Sequence, residues 1–269
     1  MRRFPISLLL LPAGLAFAHT AQAQVQISVG PQVGAVSSFS SYYGYGNYSS
    51  SGRAYQTRYL AGFEAGFASV LSFGHFQLQP TVLFAQRGFR VDDNYSSATY
   101  NAVTSERLRL NYLCTSLLAA YSLQASGQGW QVFAGPYLGL LLGGNYTFRN
   151  TYAGYRRQTY VVEGKVPVAG SEQYRATSND PAATDPSLGH SLDSYSSRSQ
   201  DVGLQVGVGY SFGKALVRAS YSHGLNNLGV GSRIENGSSA GVYTTEPPKY
   251  STQAVVVSFA YLLPLSNRP

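Results

Sequence analysis

From Val202 to Phe212 every second residue is apolar: Val202, Leu204, Val206, Val208, Tyr210 and Phe212 alternate with Gly203, Gln205, Gly207, Gly209 and Ser211, and Asp201 precedes them on the polar side. Successive side chains of a strand point to opposite faces, so this period of two describes a strand with one greasy face and one small or polar face. The pattern recurs along the chain. In Val25 to Val36, Val25, Ile27, Val29 and Val33 oppose Gln26, Gly30, Gln32 and Gly34. In Tyr59 to Leu71, Tyr59, Ala61, Phe63, Ala65 and Phe67 oppose Gly62, Glu64, Gly66 and Ala68. Phe76 to Gly88 and Trp130 to Phe148 repeat it, the latter with Val132, Ala134, Leu138, Leu140 and Leu142 against Phe133, Gly135, Tyr137 and Gly139. Ala215 to Leu225 and Thr252 to Leu263 complete the set, and Glu106 to Leu123 joins it less cleanly because Leu117, Leu118, Ala119 and Ala120 are contiguous apolar residues.

Each segment has about the ~10 residues that a tilted strand needs to cross a bilayer. The connections between segments alternate in length. Short ones hold Ser72 to His75, Gln124 to Gly129, and Gly213-Lys214, whereas Ser37 to Arg58, Arg90 to Ser105, Arg149 to Ser199 and Asn226 to Ser251 are long. Short turns on one side and long loops on the other are the pattern of an outer-membrane barrel, with the short side periplasmic. The reading is therefore all-β: an eight-stranded antiparallel transmembrane β-barrel with short periplasmic turns, long extracellular loops and both termini on the periplasmic side.

Composition supports a surface that does not meet water. Charged residues make up only 12% of the chain, while 44% is hydrophobic and 13% aromatic. A soluble domain carries charge on roughly a quarter of its residues. No window approaches the ~20 apolar residues of a spanning helix. At the N-terminus, Met1-Arg2-Arg3, the apolar run Ile6 to Ala18 and the small-x-small Ala21-Gln22-Ala23 predict a signal peptide over 1–23, leaving 24–269 as the barrel domain with a long third extracellular loop at about 149–199. The single Cys114 is too far from the cleavage site to carry a lipid anchor and has no partner for a disulfide.

Small barrels fill their interior with side chains. Inward glycines on several segments suit such a small interior, and no open channel is expected. A buried charge in the interior has to be paired, so Glu64 is expected to meet Arg218 or Arg87 across the lumen as an ionic plug. The extracellular loops are the expected working surface. Tyr42, Tyr43, Tyr45 and Tyr48 lie in a Tyr/Ser/Gly/Asn mixture like that of antibody contact loops, and Arg156 and Arg157 stand in a stretch, Tyr152 to Val168, that keeps enough alternation for a hairpin. Outer-membrane lipid and lipopolysaccharide are the expected surroundings, the latter also weakly favoured by a formal charge of +7, which is +5 once Arg2 and Arg3 leave with the signal peptide. Nucleic acid is not an expected partner.

Catalysis has little to stand on. His190, Ser191 and Asp193 supply the residue types of an acyl-transfer site, but in a Ser-rich loop with no sign of the fixed geometry such chemistry needs. His75 and His223 have no nearby ligand-type residue at metal spacing. Cys114 is read as an interior side chain. No enzyme activity, metal or cofactor is expected.

Gly62-Phe-Glu-Ala-Gly66, Phe76-Gln-Leu-Gln-Pro-Thr-Val-Leu-Phe-Ala-Gln86-Arg-Gly88, Leu110-Asn-Tyr-Leu113, Ala134-Gly-Pro-Tyr-Leu-Gly-Leu-Leu-Leu142 and Val206-Gly-Val-Gly-Tyr210 resemble, in order, the PorT-like outer-membrane β-barrel proteins of Bacteroidota. That resemblance implies an eight-stranded barrel and, for one branch of the family, a part in type IX protein secretion. The chain departs from the pattern at Cys114-Thr-Ser116, where an acidic-Ile-Pro stretch is usual, and in continuing past its last strand to Pro269. The barrel-insertion machinery would read Phe259 or Tyr261 as the terminal aromatic. A surface or secretion-machinery partner stays unidentified.

Overall fold

Alternating segments present one edge of hydrogen-bonding groups to each side, and here those edges find partners all the way round. A computed structural model describes residues 25–43, 56–96, 101–153, 157–166, 197–228, 233–234, 243–244 and 249–265. In chain order the strands are β1 (Gln26–Tyr43), β2 (Gln56–Arg58), β3 (Leu60–Phe73), β4 (Phe76–Ser96), β5 (Asn101–Ser122), β6 (Gly129–Ala153) and β7 (Arg157–Val166). They continue with β8 (Gln200–Phe212), β9 (Ala215–Gly224), β10 (Arg233–Ile234), β11 (Tyr243–Thr244), β12 (Lys249–Tyr261) and β13 (Leu263–Pro264).

Eight of these form a ring in the order β12, β9, β8, β6, β5, β4, β3, β1, and β1 pairs back to β12 from Gln32↔Ala260 to Tyr43↔Lys249. Every pairing in the ring is antiparallel. Closure removes both sheet edges, which is what allows strands to stand in hydrocarbon with no unsatisfied main-chain groups. No helix among the described residues is long and apolar enough to cross a membrane.

The two faces divide as the alternation predicts. On β8, Leu204 and Val206 are 54% and 55% exposed, whereas Asp201 is 1% exposed. Phe67, Val82, Val132, Val257 and the other outward residues make a continuous apolar belt that no water-soluble surface of this size tolerates. Aromatic rings border it. At the short-turn rim Phe76 packs edge-on against Tyr121 at 5.4 Å, and Trp130 against Tyr210 at 5.2 Å. Toward the long-loop rim Phe39 meets Tyr59 at 4.8 Å. Paired girdles of this kind mark the two interfaces of a membrane.

The contiguous apolar run in β5 resolves by parity. Leu118 and Ala120 turn inward and pack on Phe133, while Leu117 and Ala119 turn outward. The alternation is weak there because the interior is itself apolar at that level.

The long connections are partly strand. β4 and β5 stay paired up to Ser96↔Asn101, β5 and β6 up to Asn101↔Ala153, and β7 adds to β6 from Gly144↔Val166 to Ala153↔Arg157. Arg90 to Ser96 and Asn101 to Ser105, expected to lie in a loop, are therefore paired strand that rises beyond the belt. Above the lipid neither face has to be apolar, so the hydrophobic alternation ends although the main-chain pairing continues.

One irregularity breaks the β5–β6 ladder. Asn111 pairs with Gly143 but Tyr112 pairs with Leu141, so Leu142 is an extra residue, and Gly143 has φ 134°. Such a bulge exchanges the faces of everything after it. Leu141 and Tyr146 consequently both point inward, although their numbers differ in parity.

Inward glycines make room for inward rings. Gly203 is paired with Tyr137 and Gly207 with Phe133. A Cβ on Gly203 would sit 2.2 Å from the His223 carbonyl oxygen and 2.4 Å from the Tyr137 ring, and one on Gly207 would sit 2.4 Å from the Ala219 carbonyl oxygen and 2.5 Å from the Phe133 ring. We expect Gly207→Ala to cost about 1–3 kcal/mol by overpacking. The check is the temperature at which the folded gel band is lost; an unchanged temperature means that both Phe133 and the β9 backbone at Ala219 give way freely.

Candidate functional site

The inward faces bring four buried charges into the lumen, and the ring supplies each from a different strand: Glu64 from β3, Arg87 from β4, Asp201 from β8 and Arg218 from β9. Two are positive and two negative. Their partners are set by height along the barrel.

Nearer the short-turn rim, Gln77 Nε2 donates to the Gly127 carbonyl at 3.2 Å, and Gln79 Nε2 donates to Gln77 Oε1 and Gln131 Oε1, both at 2.8 Å. Arg218 then donates from Nη1 to Gln79 Oε1 at 3.2 Å and from Nη2 to Gln32 Oε1. Gln32 Nε2 in turn donates to Glu64 Oε1 at 2.9 Å. The Arg218 guanidinium also lies 5.7 Å from the centre of the Phe133 ring. The result is a chain of hydrogen bonds that crosses the lumen from β4 to β9 to β1 to β3.

Further up, Arg87 Nη1 lies 3.8 Å from Asp201 Oδ2, with its guanidinium 4.9 Å over the Tyr137 ring. Asp201 accepts from Tyr137 Oη at 3.3 Å to each oxygen and from Thr252 Oγ1. Cys114 is buried nearby as a free thiol. Beyond this layer, toward the long-loop rim, Phe89, Leu108, Leu110, Tyr146 and Tyr250 are all buried in one apolar cluster. Leu228 joins them from past the end of β9, held by Leu228 N–H to the Tyr250 carbonyl at 2.9 Å and Arg198 N–H to the Leu228 carbonyl at 3.0 Å. At the opposite end Ala68, Val70, Leu216, Ala260 and Leu262 form a second buried apolar group.

Glu64, Arg87 and Arg218 thus share the lumen, but no direct ion pair joins Glu64 to either arginine among the described residues. Gln32 stands between Glu64 and Arg218, and Arg87 is paired with Asp201. The sequence reading did not single out Asp201 or the glutamines Gln32, Gln77, Gln79 and Gln131. The signal was available: each sits on the small or polar parity of its segment, at a depth where an uncharged inner face would have carried Ala, Gly or Leu.

The loop candidates are placed only in part. Tyr42 and Tyr43 end β1, paired with Tyr250 and Lys249 of β12, and Arg157 begins β7 opposite Ala153. Tyr45, Tyr48 and Arg156 lie outside the described residues, as do His190, Ser191 and Asp193 and the whole of 1–24. His75 occupies the β3–β4 turn, where its Nδ1–H donates to the Ser122 carbonyl at 2.9 Å. His223 faces outward on β9 beside Tyr221. No group of three His, Cys, Asp or Glu residues is arranged to hold a metal ion among the described residues.

Residues 18–229 match the model of a family described as outer membrane protein beta-barrel domain. No curated protein matches the chain. Among solved structures the chain is similar to the attachment invasion locus protein Ail of Yersinia pestis, with 8% identity over 88% of this chain and 98% of that one and a TM-score of 0.33. It is similar also to OprG from Pseudomonas aeruginosa, with 13% identity, coverage of 89% and 95%, and a TM-score of 0.37. Neisserial surface protein A gives 11% identity, coverage of 87% and 96%, and a TM-score of 0.29.

Proposed function

Because the chain belongs to the outer membrane protein beta-barrel domain family, we propose that it is an exported, non-enzymatic outer-membrane barrel whose lumen is plugged and whose work is done at its extracellular rim. Residues 1–23 are its signal peptide and 24–269 its barrel domain in this reading. The observation that carries it is the lumen itself, a column of buried charges: Arg218 and Glu64 joined by hydrogen bonds through Gln32, Arg87 set 3.8 Å from Asp201 above them, and buried apolar side chains at each end. An ion entering such a column would have to displace partners that leave charges unpaired behind it, at several kcal/mol each. Recognition is then left to the β4–β7 extension and the tyrosine-rich segment after β1.

The experiment is conductance in a planar bilayer. Wild-type protein is expected to give no stepwise current at moderate voltage. A resolved unitary conductance would replace the plugged barrel with a channel. A second reading, a PorT-like subunit assisting secretion, draws support from ordered strand motifs that resemble those of that family; loss of protein export on deletion, with a partner retained in gently solubilised membranes, would favour it.

A further inference from the structure

The bulge at Leu142 and Gly143 has a consequence on the outer wall. Odd positions of β6 face inward up to Leu141, so an unbroken strand would send Asn145, Thr147 and Arg149 into the lumen. The extra residue turns Asn145 and Arg149 outward instead, and both are exposed. There they join other polar residues just above the belt. Arg58 on β2 is paired with Arg90 on β4, and Arg90 is paired with Arg107 on β5. Arg109, one outward position lower, is paired with Asn145, which is paired with Lys165 on β7.

Three arginines therefore occupy directly opposite positions on three neighbouring strands. Like charges so placed repel one another and destabilise a sheet. Asp92 relieves part of this, at 2.9 Å from Arg58 and 2.7 Å from Arg90. Burial pushes its carboxyl up, and hydrogen bonds from Arg90 and Ser105 with the charges of Arg90 and Arg58 outweigh that, holding it ionised below the ordinary carboxylate value. Arg107, Arg109, Arg149 and Lys165 have no carboxylate within ion-pair distance among the described residues, and the Arg109 Nε is buried with no hydrogen-bond partner there. Immediately beneath are Gln86 and Asn111, hydrogen-bonded at 3.2 Å, and below them the apolar Phe84, Leu113 and Leu142 of the belt.

We propose that Arg58, Arg90, Arg107, Arg109 and Arg149, with Lys165, form a docking row for the phosphate groups of a lipid in the outer leaflet, whose acyl chains lie along the wall below. Guanidinium forks bind phosphate oxygens in pairs, and the row stands at the height where a headgroup meets its chains. The proposal rests on the outer-membrane reading. The phosphate adds the counter-charge that the single Asp92 carboxylate does not supply to three opposed arginines, above all at Arg107.

The test uses the full mature protein, folded in detergent, with diphosphoryl lipid A, dephosphorylated lipid A and inorganic phosphate as probes. Diphosphoryl lipid A is expected to bind at least about tenfold more tightly than the dephosphorylated form, to weaken as salt is raised, and to lose about tenfold in a variant carrying Arg107→Gln, Arg109→Gln and Arg149→Gln. Equal binding of the two lipids overturns the proposal, and so does an unchanged affinity in the variant. Displacement of the lipid by millimolar inorganic phosphate overturns it too, by showing a free-anion site. If the triple variant does not fold, the salt titration and the comparison of lipids on the wild type decide the matter. A protein that keeps its heat-sensitive gel mobility yet ignores lipid phosphate sinks the docking row alone; one with no such mobility and no sheet spectrum sinks the barrel reading as well.

Discussion

Arg218→Ala is expected to lower the stability of the folded barrel by about 3–5 kcal/mol, the cost of leaving one partner of a buried charged network alone. The side chain is 4% exposed, so water does not readily replace it. Its removal strips Gln79 and Gln32 of their donor and leaves the Glu64 carboxylate with no cation in its hydrogen-bonded chain. Unfolding by urea in lipid vesicles, followed by gel mobility, gives the number. The sharper measurement is the double variant Arg218→Met with Glu64→Gln, which removes both charges. It is expected to recover most of the loss, because that level of the lumen, of similar volume and without Arg218 or Glu64, has no ion left to solvate. A single variant within about 1 kcal/mol of wild type would mean that water already fills the lumen at this level, and the plugged reading would fall with it.

Val206→Arg is expected to cost about 2–4 kcal/mol in a bilayer. Val206 is outward, 55% exposed and midway along β8, where a guanidinium meets hydrocarbon. Leu225→Arg, at the upper end of the neighbouring strand and 63% exposed, should cost only about 0–1 kcal/mol because the charge reaches the interface. The contrast matters more than either value. On a water-soluble sheet both arginines would be harmless, so equal and negligible costs would remove the membrane from the account.

The apolar belt was legible in the residues because lipid imposes alternation on every strand that crosses it. Val202 to Phe212 needed no structure to be placed. Above the belt that pressure ends, and so did the legibility: the pairing of Asp92 with Ser105 and the addition of β7 to β6 rest on main-chain hydrogen bonds that leave little mark on side-chain type. The charged lumen was half visible. Parity put Glu64, Arg87 and Arg218 inside, but which acid meets which base depends on stagger between strands, and stagger is set by the whole ring. Asp201 was on the correct parity and went unpaired for that reason. The bulge was hidden altogether, since Gly143-Gly144 looks like the many other glycines of these strands while its effect, the exchange of faces from Asn145 onward, appears only against β5.

The β1–β12 seam also governs time. Gln32 must wait for Ala260, nearly the whole chain away, and until that pairing forms the growing sheet has two bare edges. A bare edge is intolerable in hydrocarbon and sticky in water, so neither compartment can hold a half-built ring. Assembly is therefore an ordering problem: the first strand has to be kept from wrong partners for as long as the last is still in transit, and any delay in delivering β12 lengthens the interval in which the protein can aggregate.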